Sequence, residues 1–252
     1  MIMVSIEWLN VLRRAELDQL LDYMPSTGRV LDIGSGTGFQ AKALSERGFT
    51  VEAVDLASSQ YRDHAVYPIR VYDGCSLPFP DRYFDVVISS NVLEHVANPV
   101  ALHTDIHRVL KSDGYSLHVL PSTVWRFWST VAHYVALARH CVARWTNPPA
   151  SVAARPWWKR VVDIAQYIIS ELLPEAHAWK SSACRELWTF SHWAWKQYFV
   201  TYGYHVMAIH PLGLFYTGRM IVGPRWSLSG RRVAARWLGS VAVLYKVKTR
   251  ST

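Results

Sequence analysis

The chain has 252 residues, half of them hydrophobic, and a formal charge of +8. That length suits one α/β domain with elaborations. The three cysteines (Cys75, Cys141, Cys184) lie far apart with no Cys-x-x-Cys pair, which argues against a disulfide framework or zinc knuckle and suits a reducing compartment. There is no apolar run of about 18 residues and no basic leader before an apolar core, so the expectation is a cytoplasmic protein without a transmembrane helix or signal peptide.

The average charge hides a division. Residues 1–120 carry 10 Lys and Arg against 15 Asp and Glu; residues 121–252 carry 17 against 4. Of twelve tryptophans, only Trp8 precedes residue 120. An acidic half punctuated by glycine is followed by a basic, aromatic one.

In chain order, residues 1–24 read as an amphipathic helix. Arg29–Ile33 is a short apolar strand that ends in a glycine loop, and Ala41–Arg47 a helix. Val51–Leu56 gives a second strand, with a short helix expected from Ser58. Ile69–Tyr72 and Asp85–Ser89 are strands three and four. Pro99–Leu110 has helical spacing, and Tyr115–Leu120 is the fifth strand. Near-continuous apolar strands spaced by helices indicate a parallel sheet covered on both faces. Residues 122–190 look like an inserted helical cap, broken at Asn147-Pro148-Pro149 and Pro174. Alternation then resumes with a helix over Trp193–Tyr202, a strand over Tyr204–Ile209 and a last strand over Val241–Val247.

The glycine loop Asp32-Ile33-Gly34-Ser35-Gly36-Thr37-Gly38 is the first chemical signal. Glycines between a strand and a helix allow a ligand close to the backbone, with helix N–H groups aimed at it. The spacing is Gly-x-Gly-x-Gly rather than the dinucleotide Gly-x-Gly-x-x-Gly. Asp32, before the first glycine, suits a ligand's positive amine. Asp55, ending the second strand, is placed to accept ribose hydroxyls, and Asp73 follows the third strand where a carboxylate meets an adenine amino group.

With Leu77-Pro78-Phe79-Pro80-Asp81, Phe84–Val87, Asn91-Val92-Leu93-Glu94-His95-Val96 and Arg108-Val109-Leu110-Lys111, these residues resemble the class I S-adenosylmethionine (SAM)-dependent methyltransferases of the ubiquinone/menaquinone-methylating type, over about residues 28–122. The resemblance implies a Rossmann-like, seven-stranded, mostly parallel α/β sheet with an antiparallel last strand. It divides the chain into an N-terminal helix (1–27), a SAM-binding core (28–121), a helical cap (122–190) and the C-terminal part of the sheet (191–252). It further implies that Asp32, Gly34, Ser35, Gly36 and Gly38 hold the methionine end of SAM, Asp55 with Leu56 the ribose, and Asp73 with Gly74 the adenine. Asn91 and His95 would lie near the sulfonium and the substrate mouth. Short distal patches, among them Trp125–Trp128, Leu187–Ser191 and Leu214–Gly218, are similar to bacterial methyltransferases associated with surface polysaccharides.

A hydroxyl acceptor benefits from a general base, usually histidine. His95, His133, His177 and His192 are candidates; His95 is preferred by position, and His133 as a cap residue facing it. His103 and His107 have a helical spacing that binds metal, but no further ligand suits them, so an exposed helix and no metal site are expected. Arg225, Arg231, Arg232, Arg236, Lys246, Lys248 and Arg250 suggest a basic surface for anionic lipid or a pyrophosphate-linked carrier. No nucleic-acid-binding module is evident. The expected function is O-methylation of a small-molecule or glycan hydroxyl, with the protein peripheral at an anionic membrane face. The alternatives are C- or N-methylation of a quinone-like or other aromatic compound, or a non-catalytic SAM-binding scaffold.

Overall fold

A computed structural model describes residues 6–148, 150–217 and 226–250. Seven strands form one sheet: β1 Arg29–Ile33, β2 Thr50–Leu56, β3 Arg70–Tyr72, β4 Phe84–Ser90, β5 Leu110–Pro121, β6 Tyr204–Pro211 and β7 Ala242–Thr249. Their order is β3-β2-β1-β4-β5-β7-β6. The pairings from β3 through β5 are parallel, and β7 runs antiparallel to both β5 and β6. This is the expected Rossmann-like sheet with its antiparallel last strand.

The strands are apolar on both faces because helices cover both. On one side Leu31, Ile33, Val87 and Val247 pack with Leu102 and Ile106 of α3 (Pro99–Val109) and Trp195 and Phe199 of α8 (His192–Thr201). On the other, Val30, Val86, Ile88 and Val119 meet Leu17 and Leu20 of α1 (Ile6–Leu20) and Ala41 and Leu44 of α2 (Phe39–Ser45). Local chemistry sets the helix starts. Asn98 caps α3 by accepting from the Ala101 N–H, followed by proline in the first turn, and Ser191 caps α8 through the Ala194 N–H.

The cap comprises α4 (Thr123–Thr146), α5 (Ala150–Ala153), α6 (Trp157–Ser170) and α7 (Ala183–Thr189). α4 leaves the end of β5 with Ser122 as its cap, and α7 packs along it. The main internal fastening is an ion pair between Arg126 of α4 and Glu186 of α7, 3.1 Å apart and almost wholly buried.

Several expectations are corrected. The helix expected from Ser58 is only a 3-10 turn over Arg62–His64. A helix the sequence reading lacked, α9 (Leu228–Leu238), precedes β7. The α3 face carrying His103 and His107 is not exposed. His103 is buried and hydrogen-bonded with the hydroxyls of Tyr204 and Tyr198, at 3.0 and 2.9 Å. His107 pairs with Thr249 Oγ1 and the Tyr202 carbonyl. Burial pushes the His103 imidazole down to about 3, so it is a neutral structural residue. Arg231 does not belong to a basic surface: it is buried, bonded to the carbonyls of Phe215 and Trp226 and stacked near Trp8 and Trp226. Arg232, Arg236 and Arg250 are exposed, while Lys246 donates to the Tyr23 carbonyl and lies 4.0 Å from the Tyr115 ring. Arg225, Gly218 and residues 1–5 lie outside the described residues. Among the described residues no helix is long and apolar enough to cross a membrane.

Candidate active site

The sheet order changes direction between β1 and β4, and in open α/β sheets ligands bind at such a switch point, beyond the carboxyl ends of the strands. The glycine loop lies there. Gly34, Gly36 and Gly38 all have positive φ (67°, 60° and 72°), a conformation costly for other residues. A Cβ on Gly34 would run into Val92, and one on Gly38 would come 2.8 Å from Tyr67. The first contact shows that the turn after β4 is packed directly on the loop.

Asp32 is buried, and its Oδ2 has no hydrogen-bond partner. Burial pushes its carboxyl up to about 7, with the Ser35 hydroxyl and the Arg13 guanidinium pulling the other way. A buried acid with an unused oxygen is costly unless it stays protonated or meets a cation. α1 closes over the same place: Asn10 meets the Thr37 hydroxyl at 3.4 Å, the Arg13 carbonyl accepts from Gln40, and Arg13 pairs with buried Glu16 at 2.6 Å.

Asp55 reaches back to the loop. Its Oδ2 accepts from the Gly36 N–H (2.8 Å) and the Ser59 hydroxyl (2.9 Å), and its Oδ1 from the Leu56 N–H (2.8 Å). It therefore fixes the loop's shape and retains a lone pair on Oδ1 for a ligand. Asp73, exposed, uses Oδ1 to accept from the Cys75 and Ser76 N–H groups, which holds its carboxyl below the usual range and shapes the turn that contains Gly74. Asn91 has φ 55° just past β4 and donates its N–H to the Val119 carbonyl. The Asn91 side chain bonds the hydroxyl of Tyr216, whose acidity burial weakens strongly. The glycine loop, Asp32, Asp55, Leu56 and Asn91 thus lie together at the carboxyl ends of β1, β2 and β4, with Arg13 near Asp32 and Tyr216 near Asn91, two residues that sequence reasoning missed.

His95 lies in a 3-10 turn, Leu93–His95, directly after Val92. Its ring is 4.5 Å from that of His177, which in turn is 4.6 Å from Trp125. Burial is the main cause of a lowered His95 value, and His177 adds to it. The cap delivers His177 here: Glu186 accepts from the N–H groups of His177 and Ala178, and Trp179 donates to the Glu94 carbonyl. His133 does not meet His95; its Nε2 pairs with the Glu171 carbonyl at 2.7 Å inside the cap. His192 bonds the Tyr245 hydroxyl. A cavity of about 580 Å³ between α4 and α6, lined by Arg144, Arg160, Asp163 and Tyr167, belongs to the cap alone.

The family described as "Methyltransferase domain" matches residues 31–117, which span β1 through most of β5. Residues 31–117 thus carry a methyltransferase domain. This methyltransferase core resembles an uncharacterized methyltransferase of Mycobacterium sp. (strain KMS), at 40% identity over 107 residues, 40% of this chain and 41% of that protein. It also resembles the biotin biosynthesis bifunctional protein BioHC of Cellvibrio japonicus, at 37% identity over 141 residues, 51% of this chain and 28% of that protein. The match thus spans less than half the length of either relative. In three dimensions, a SAM-dependent methyltransferase from Mesorhizobium loti shares the fold at a TM-score of 0.54 and 15% identity, covering 94% of this chain and 98% of that one.

Proposed function

We propose that the chain transfers the methyl group of SAM to a hydroxyl of a small molecule or glycan, which enters between the turn after β4 and the cap. The observation that carries this reading is buried Asp32, with one oxygen unused behind a glycine loop on which Val92 is packed. When bound, SAM supplies an electrophilic methyl: the acceptor oxygen takes it, the C–S bond breaks with its electron pair left on sulfur, and S-adenosylhomocysteine remains. Asp32 receives the ammonium, Asp55 the ribose, and the loop N–H groups the carboxylate. The core would hold donor and acceptor in position for the displacement, and such positioning accounts for much of the rate. The acceptor's proton leaves toward the opening beside His95. His133 is set aside as the base because its Nε2 is engaged with Glu171.

The cap supports a carrier at an anionic membrane face. Trp157 is 70% exposed and Leu173 78%, Trp158, Ile169 and Leu172 are also exposed, and Arg155 and Lys159 are exposed next to the two tryptophans in sequence. Tryptophan with basic residues suits the interfacial layer of a bilayer.

Incubation with labelled SAM and fractionated cell-envelope precursors tests both parts. Label recovered as O–CH3 on a lipid-linked or soluble hydroxyl compound is the expected result. Label recovered as C–CH3 favours an aromatic acceptor, and label confined to RNA or protein contradicts the proposal.

A further inference from the structure

We infer that Glu94, His95 and His177 form a binding site for a divalent transition-metal ion beside the methyl-donor crevice. The Glu94 side chain is wholly inaccessible, yet neither of its carboxylate oxygens has a hydrogen-bond partner. A buried carboxylate without a hydrogen bond is costly. Two imidazole nitrogens face the same oxygen: His177 Nε2 at 3.8 Å and His95 Nε2 at 3.9 Å from Glu94 Oε1. Both separations exceed a charge-assisted hydrogen bond, about 2.7–2.9 Å. They lie within a few tenths of an ångström of the span of about 3.4 Å between two ligands of a tetrahedral ion with bonds of about 2.0–2.1 Å. All three ligand atoms fall within 4.8 Å of one another.

Two imidazoles and one carboxylate form a ligand set suited to zinc, iron or cobalt rather than to magnesium or calcium. The protein supplies three ligands, and the histidines are partly open, with side chains 45% and 35% exposed. The remaining coordination position therefore faces the mouth, as in catalytic sites that admit a water or substrate oxygen. The two sides of the site come from different parts of the chain. Glu94 and His95 ride on the turn packed against the glycine loop, and His177 is held by Glu186, itself fixed by Arg126. The ion would thus join core and cap.

This inference rests on the proposed function only in taking the acceptor's oxygen to this opening; metal binding itself does not depend on methyl transfer. The test is titration of chelator-stripped full-length protein with Co²⁺, read by visible absorption, with Zn²⁺ as competitor and S-adenosylhomocysteine binding measured in parallel by calorimetry. A single equivalent of Co²⁺ with bands typical of nitrogen and oxygen ligation, displaced by Zn²⁺, is expected. Glu94→Gln and His177→Ala should each weaken it by tenfold or more, while His133→Ala leaves it unchanged. Retained S-adenosylhomocysteine binding in the first two variants shows that they fold. No Co²⁺ uptake, or uptake that neither variant weakens, overturns the metal site. Loss of nucleoside binding with metal uptake intact would instead count against the methyl-donor reading.

Discussion

In the core, β4 buries most of its residues between helices on both faces of the sheet, whereas α6 of the cap buries none of its 14. The core is a closed, two-sided packing; of its buried polar groups, Asp32 sits at the switch point while His103 is bonded within the packing. The cap is more open: among the described residues it is fastened by a buried ion pair, by polar contacts such as His133 with Glu171 and Tyr134 with Leu172, and by Phe190, Trp125 and Ala178 packed on the core. The difference shows how one molecule separates its tasks. Hydrophobic burial makes the donor site rigid, and a cap that depends on few fastenings is free to be specialised for an acceptor or a surface.

The largest expected effect strikes the fastening. Arg126→Ala leaves Glu186 buried without its cation, a loss of about 3–5 kcal/mol for such pairs. Early proteolysis of residues 123–190 and loss of methyl transfer are expected, with S-adenosylhomocysteine binding by the core retained. If cap and core fail together in limited proteolysis, the two regions are one cooperative unit and the comparison breaks.

Asp55→Ala acts on the core alone. It frees the Gly36 N–H and the Ser59 hydroxyl and removes the proposed ribose acceptor, an expected loss of about 1.5–3 kcal/mol in nucleoside binding. Calorimetry should show affinity down by tenfold or more with the cap's protease resistance unchanged. The smallest effect on stability is expected from Trp157→Ala combined with Trp158→Ala, within about 0.5 kcal/mol because both rings are exposed. The same pair should abolish sedimentation with anionic vesicles. Unchanged vesicle binding would detach the cap from any membrane role.

How much of this was legible beforehand follows the same division. β1, β2, β4 and the glycine loop are readable because strands covered on both faces become continuous apolar runs, and because positive φ selects glycine. α9 was not readable: Gly230 near its start and Arg231, Arg232 and Arg236 make it look like a solvated basic stretch. Burial of Arg231 against Phe215, Trp226 and Trp8 depends on contacts distant in sequence. His103 and His107 show the same limit, since their partners Tyr198, Tyr202, Tyr204 and Thr249 are on α8, its C-terminal turn, β6 and β7. At the site, His95 was found from its motif. The ring beside it is His177 rather than His133, a choice made by Glu186 gripping the backbone at 177 and 178.

Asp32 provides the most direct test of the donor site. Its folded value of about 7 lies above the ordinary 3.8, so the free protein holds a proton that the unfolded chain has released. Its stability therefore falls as pH rises from the ordinary aspartate range through about 7. An ammonium placed on Asp32 reverses the shift and expels that proton. Titration with S-adenosylhomocysteine just below pH 7, in buffers of different ionisation heat, should show release of a substantial fraction of a proton by the natural protein. Asp32→Asn should release none and bind at least tenfold more weakly. Equal affinity in both proteins, with no proton released by either, would contradict the assignment of this loop to SAM.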